Sequence, residues 1–207
     1  MKFSHYKKRV EESKEFKQFK EKNKKSYLAA GFFVLDYDTD KHSHQIDYAL
    51  PDGRIATFNL DEGINLKISD KAIKNERKAL PEIKDEANTD LDMLKGIVED
   101  EMKNRVVTDK IKKIIAILHI NDNKLIWNLQ CLLDGLGILN VHVDDFDKSV
   151  LKFEKHSMMD LIKVIPNQFS RKNKESIKLN EKDIKKLEEQ INKQMKESEK
   201  QPKQKAL

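Results

Sequence analysis

Across residues 4–25, Tyr6, Val10, Phe16 and Phe19 recur at mainly three- and four-residue spacings among Lys and Glu, the period of an amphipathic helix. From Tyr27 the period changes to two. YLAAGFFVLDY, HQIDYAL and RIATFNL alternate β-branched or aromatic residues with polar ones and predict three strands, with INLKIS as a fourth. Asp38, Thr39 and Asp40 supply a polar connection after the first strand. Pro51-Asp52-Gly53 supplies a turn, combining a fixed negative φ with a residue free to take a positive one. KAIKNERKALPEIKDEANTD, punctuated by Pro81, reads as a linker. A second helix is predicted from Leu94 to Val107, with Ile97, Val98 and Met102 facing one way. KIIAILHI, KLIWNLQCLL, ILNVHVD and VLKFE then predict four more strands, separated by NDN, DGLG and DDFDK.

The second half repeats the order of the first. Laying residues 33–61 on residues 116–144 requires one constant offset of 83 and no gap. Leu35/Leu118, Lys41/Lys124, Leu50/Leu133, Ile55/Ile138 and Asp61/Asp144 are then identical. Ile46, Tyr48 and Leu50 meet Leu129, Cys131 and Leu133, so the parity that selects a sheet face is kept. His44 stands where Trp127 stands, and the second copy is the more apolar at this place, with Trp127 expected as a core anchor. The expected fold class is α+β: two copies of an α-helix plus antiparallel β-meander unit, over residues 1–82 and 83–166, followed by a basic C-terminal helix or tail over 167–207. In that tail Ile184, Leu187, Ile191 and Met195 fall on one helical face, and the chain after about residue 200 lacks the apolar residues to order itself.

The segment IWNLQCLLDGLGILNVHVDDFDKSVLKFEKH resembles the PepSY domain, whose closing hairpin often runs Trp, strand, turn, strand, Asp turn, strand. Trp127, Val143, Asp144, Val150 and Leu151 carry the likeness. Asp147-Lys148-Ser149 replaces the Thr-Gly turn typical of that family. The likeness covers residues 94–156, and the first half joins it through the repeat. The chain also resembles uncharacterised archaeal-type proteins of two such halves, in which a Trp-Asn strand and an Asp turn precede a short segment, here Met158-Met159-Asp160. The resemblance implies a non-catalytic binding or inhibitory module of PepSY-like type.

Charge adds a second reading. Residues 1–25 carry ten Lys or Arg and four acids, residues 26–166 carry 19 bases and 25 acids, and residues 167–207 carry twelve bases and seven acids. The basic ends, with Lys7, Lys8 and Arg9 at one and Arg171, Lys172 and Lys174 at the other, are candidate contacts for a partner. They would serve an acidic protein surface or, in the alternative reading, nucleic acid or the ribosome. The first expectation is a protein partner, because Arg is scarce and no RNA-binding aromatic signature accompanies the charge. No apolar stretch approaches about eighteen residues, so no membrane-spanning helix is expected. The N-terminal segment is basic but has no apolar centre, and a cytoplasmic location is expected. A lone Cys131 fits a reducing compartment.

Candidate chemistry is sparse. In DYDTDKHSHQID, Asp36, Asp38, Asp40 and Asp47 occupy positions 1, 3, 5 and 12 of a calcium-loop spacing, with Lys41 where the loop needs Gly. His42 and His44, two apart, would share a strand face and could take a transition metal with a neighbouring Asp. A solvated turn accounts for the same letters, as it does for Asp144, Asp145 and Asp147. No nucleophile motif, Walker loop or dinucleotide fingerprint occurs, and neither catalysis nor a cofactor is expected. Cys131, mid-strand on the apolar side, reads as core filler.

Overall fold

The computed structural model describes residues 2–70, 80–84 and 86–157, all within one compact unit, Met1–Ile162. Its elements in chain order are α1 (Phe3–Glu11), α2 (Lys14–Lys22), β1 (Tyr27–Asp36), β2 (Ser43–Ala49), β3 (Ile55–Asn59), β4 (Asn65–Ile68), α3 (Leu91–Asn104), β5 (Ile111–Asn121), β6 (Lys124–Leu133), β7 (Gly137–Asp144) and β8 (Val150–Ser157). The α+β class with an antiparallel sheet is as expected. The residues expected to form a basic C-terminal helix or tail lie outside the described residues.

The single N-terminal helix is replaced by two. The Ser13 hydroxyl donates to Val10 O and accepts from Phe16 N, ending α1 and capping α2 in one residue. Both helices keep the predicted apolar side: Phe3, Tyr6, Val10, Phe16 and Phe19 are buried.

All eight strands join one antiparallel sheet in the order β4-β3-β2-β1-β5-β6-β7-β8. The first four strands and the last four therefore meet through their own first strands, Phe33 facing Ala116 and Val34 facing Ile115. At the offset of 83, Ile46 facing Phe58 falls on Leu129 facing Val141. The β1–β2 pairing departs from that offset. Gly31 faces Ile46, whereas Leu129 faces Ala116, which corresponds to Phe33. The gapless overlay is thus corrected by a slip of two residues, which keeps every side chain on its sheet face. The hairpins explain the slip. β5 and β6 stay paired to Asn121 and Lys124 and close through Asp122-Asn123, both at positive φ, while β1 and β2 part at Val34 and Ser43.

One face of the sheet carries the helices. Phe33, Ile46, Phe58, Ile114, Leu118, Trp127, Leu129 and Leu139 point into that layer and are fully buried together with Leu91 and Leu94 of α3. Gly31 belongs to this face for a steric reason: a Cβ there would stand 2.6 Å from a Phe3 ring carbon and 2.8 Å from one of Phe33. The missing side chain lets α1 lie down on β1.

α3 ends at an unusual residue. Val106, 84% exposed, takes φ 57, while Val107 N donates to Met102 O and Val106 N to Lys103 O. This is the bonding of a left-handed helix stop with a β-branched residue in the place Gly usually holds. The predicted linker is also anchored at its described end, since Ile83 is buried and donates its N–H to Leu28 O.

Candidate binding surface

The second sheet face carries no helix among the described residues. Along each strand the residues between the buried ones point there: Ala30, Phe32 and Val34 on β1, Gln45 and Asp47 on β2, Ile55, Thr57 and Asn59 on β3. In the second half they are Ile115, Ile117 and His119 on β5, Asn128 and Gln130 on β6, and Asn140 and His142 on β7. Of these Gln130 is exposed and the rest are half-buried. Register turns them into rows. One runs Asn59, Gln45, Phe32, Ile117, Asn128, His142, Lys152, and the next runs Ser43, Val34, Ile115, Gln130, Asn140, Glu154.

Phe32, Val34, Ile115 and Ile117 therefore form an apolar patch at the junction of the two halves. Carboxamides and His142 border it on one side. A shallow depression of about 340 Å³ lies there between Ile115, Ile117, Asn128, Gln130, Asn140, His142 and Lys152. Burial first, then the nearby Lys152 and His119, pushes the His142 pKa below the ordinary histidine value. On the first half Asp47 accepts a 2.7 Å hydrogen bond from Thr57 Oγ1, and burial nevertheless raises its pKa.

The calcium-loop and histidine residues do not converge. Asp36 ends β1, where its Oδ1 accepts from Asp38 N and Thr39 N and its Oδ2 lies 2.9 Å from Lys113 Nζ. Lys113 first, and those backbone donors, hold its carboxyl well below the usual carboxylate range. Asp38 pairs with Lys112 at 3.2 Å, and Asp40 sits at φ 54. Asp47 faces the opposite side of the sheet from its neighbour Ile46. His42 accepts Asp36 N on Nδ1, and its Nε2 lies 3.6 Å from Asp40. His42 and His44 share a side, their rings 6.4 Å apart. Among the described residues no group of three His, Cys, Asp or Glu side chains is placed to hold a metal ion. The spacing fits a loop between two helices, and here a strand, a turn and a strand carry it.

The basic candidates at the N-terminus are partly committed. Lys8 pairs with Glu12 at 3.8 Å, and Arg9 donates Nη2 to Leu60 O at 3.2 Å, tying α1 to the end of β3. Lys7 is half-buried on α1. Arg171, Lys172 and Lys174 lie outside the described residues.

Two roles were not read from the sequence. Asp145, expected in a solvated turn, is 1% exposed and accepts from Asn88 N, Thr89 N and Trp127 Nε1. His44 is sandwiched under α1 rather than displayed. Its ring stacks on Tyr6 with centroids 4.6 Å apart, its Nδ1 lies 3.5 Å from Asp61 Oδ1, and its Nε2 is buried without a partner.

No family model matches the chain, and no curated protein matches it. Among solved structures it is similar to a protein from Clostridium difficile 630 described as a "putative lipoprotein", at 17% identity and a TM-score of 0.43, over 69% of this chain and 90% of that one. A likeness of this size transfers neither activity nor location. No helix among the described residues is long and apolar enough to cross a membrane.

Proposed function

We propose that the protein is a non-catalytic binding module of PepSY-like type, built from two copies of one helix-plus-meander unit, which engages another protein through the sheet face that carries no helix among the described residues. The observation that carries this reading is the apolar patch of Phe32, Val34, Ile115 and Ile117 in the middle of that face, bordered by polar side chains. An apolar centre within a polar border is the anatomy of a protein contact. Duplication is supported by the mirrored strand order about β1 and β5 and by the shared pairing of β2–β3 and β6–β7. A reducing compartment is part of the reading, supported by the single cysteine, Cys131, being a buried free thiol.

The test is affinity purification of the full-length protein from its native host at low salt, followed by separate high-salt and nuclease washes. Wild type is compared with Ile117→Arg and with Lys8→Glu, after circular dichroism has verified that each is folded. A stoichiometric protein retained by wild type and Lys8→Glu and lost from Ile117→Arg is the expected result. Recovery of nuclease-sensitive material that Ile117→Arg keeps would replace this reading with the nucleic-acid one, whose salt dependence is steep.

A further inference from the structure

His44 holds the buried side-chain nitrogen that lacks a partner among the described residues. Buried polar atoms are nearly always satisfied, so such an orphan calls for a physical account. The surroundings supply one. His44 is half-buried at the seam between α1 and the sheet. Tyr6 of α1 stacks on it at 17° between ring planes, and Phe33 of β1 meets it edge-on at 6.0 Å. Its Nδ1 faces Asp61 at 3.5 Å, so the neutral tautomer with the proton on Nδ1 places its bare lone pair at Nε2, under α1. A second proton on Nε2 would create a buried N–H with no acceptor.

We propose that His44 is an acid-sensitive latch: neutral, it holds α1 flat on the sheet through the Tyr6 stack; protonated, it releases α1 and uncovers the apolar surface around Gly31 and Phe33. The groups that face His44 are accounted for from each neighbouring element. Arg9 of α1 and His42, just before β2, disfavour a charge on it; Asp61, after β3, favours one; Tyr6 of α1 contributes its ring. Burial is the largest influence and lowers the His44 pKa from the ordinary 6.5, against the opposing pull of Asp61. The sign follows. The docked state binds the proton less readily than the undocked one, so docking is strongest above pH 6.5 and weakens as pH falls from there toward the lowered value. Other attachments of α1 include Phe3 over Gly31, Val10 in the core, Arg9 to Leu60 O and Tyr48 Oη to Glu11 at 3.1 Å. His44 thereby sets the pH of release; the other histidine of α1, His5, meets the Tyr6 ring edge-on at 5.9 Å.

The test is amide hydrogen exchange of the full chain at pH 7.5 and 5.0, corrected for intrinsic rates, in wild type, His44→Phe and His42→Gln. Wild type and His42→Gln should lose protection in residues 3–11 on going to pH 5.0, while β6 and β7 hold theirs. His44→Phe, which keeps an aromatic stack and cannot titrate, should show no such loss. An equal loss in His44→Phe, or none in wild type, overturns the proposal. An NMR titration of the His44 ring in wild type decides the matter if His44→Phe does not fold. Its midpoint should lie below 6.5 and coincide with the change in the α1 amides; titration without that change would sink the latch.

Discussion

The indole N–H of Trp127 donates to Oδ1 of Asp145 at 2.8 Å, inside a core where the ring is 0% and the carboxylate residue 1% exposed. The same carboxylate takes the N–H groups of Asn88 and Thr89, and Thr89 Oγ1 returns a hydrogen bond to Asp145 O. One side chain thus ties β6, the β7–β8 turn and the approach to α3. Trp127→Phe keeps most of the apolar volume and withdraws one donor from a buried carboxylate, which should cost about 1–3 kcal/mol. Trp127→Ala adds a cavity and should cost about 3–5 kcal/mol. Urea unfolding followed by circular dichroism measures both, and equal midpoints for Trp127→Phe and wild type would show that the hydrogen bond contributes nothing.

Asp145→Asn should be worse than Trp127→Phe. The amide presents a donor to groups that are themselves donors, so at least one of Asn88 N, Thr89 N and Trp127 Nε1 is left without an acceptor. The predicted signature is local as well as global: faster exchange of the Asn88 and Thr89 amides than in Trp127→Phe at matched stability.

Val106 offers the opposite sign. A left-handed conformation costs an L-residue about 1–2 kcal/mol, and Gly escapes this at an entropic cost of about 0.5–1 kcal/mol. Val106→Gly should therefore raise the melting temperature by about 1–4 °C, a shift suited to a chain of this size. Val106→Ala keeps a Cβ and should gain little. A calorimetric scan in which both variants match wild type would show that the helix stop is not strained.

Gly31→Ala should detach what the latch detaches, without acid. The new methyl meets Phe3 and Phe33 at distances no Cβ tolerates, and overpacking of this kind costs about 1–3 kcal/mol. Exchange protection in residues 3–11 should fall at pH 7.5. Adding Phe3→Ala removes the closer of the two clashes, so the double variant should lose less stability than the two single losses combined.

Cys131 should be inert in the folded protein. Burial pushes its thiol up to about 12, and the side chain is 0% exposed, so at pH 8 neither thiolate nor access is provided. A chromogenic disulfide reagent should titrate no thiol in native protein and one after urea. Rapid native labelling would contradict the packing of β6.

Much of this architecture was legible along the chain because local pattern and tertiary role agree. KLIWNLQCLL and ILNVHVD are apolar runs bounded by turn residues, and become β6 and β7 within a residue of the expected limits. The helix break was hidden because Ser13 fits an amphipathic stretch as well as a cap, and only its bonds to Val10 and Phe16 distinguish the two. Asp145 was hidden for a longer-range reason. Its letters, D-D-F-D, are those of a solvated turn, and its partners Asn88 and Thr89 lie 57 and 56 residues away. His44 was legible as a histidine beside acids, but not as an orphan, because Tyr6 reaches it only when α1 crosses β1 and β2. The metal spacing misled for the same reason in reverse: linear intervals were right and the backbone between them was extended instead of looped.

The seam between β1 and β5 has a consequence for synthesis and breakage. Each half of the sheet contributes its innermost strand to the other, from Ala30 facing His119 to Asp36 facing Lys113. A ribosome that has released only the first half leaves β1 with a bare row of backbone donors and acceptors beneath Phe32 and Val34, and a protease cut between the halves would do the same to β5. Such strands recruit whatever strand is nearest. Either fragment alone should therefore be prone to aggregate, and mixing the two should restore solubility by restoring the missing neighbour.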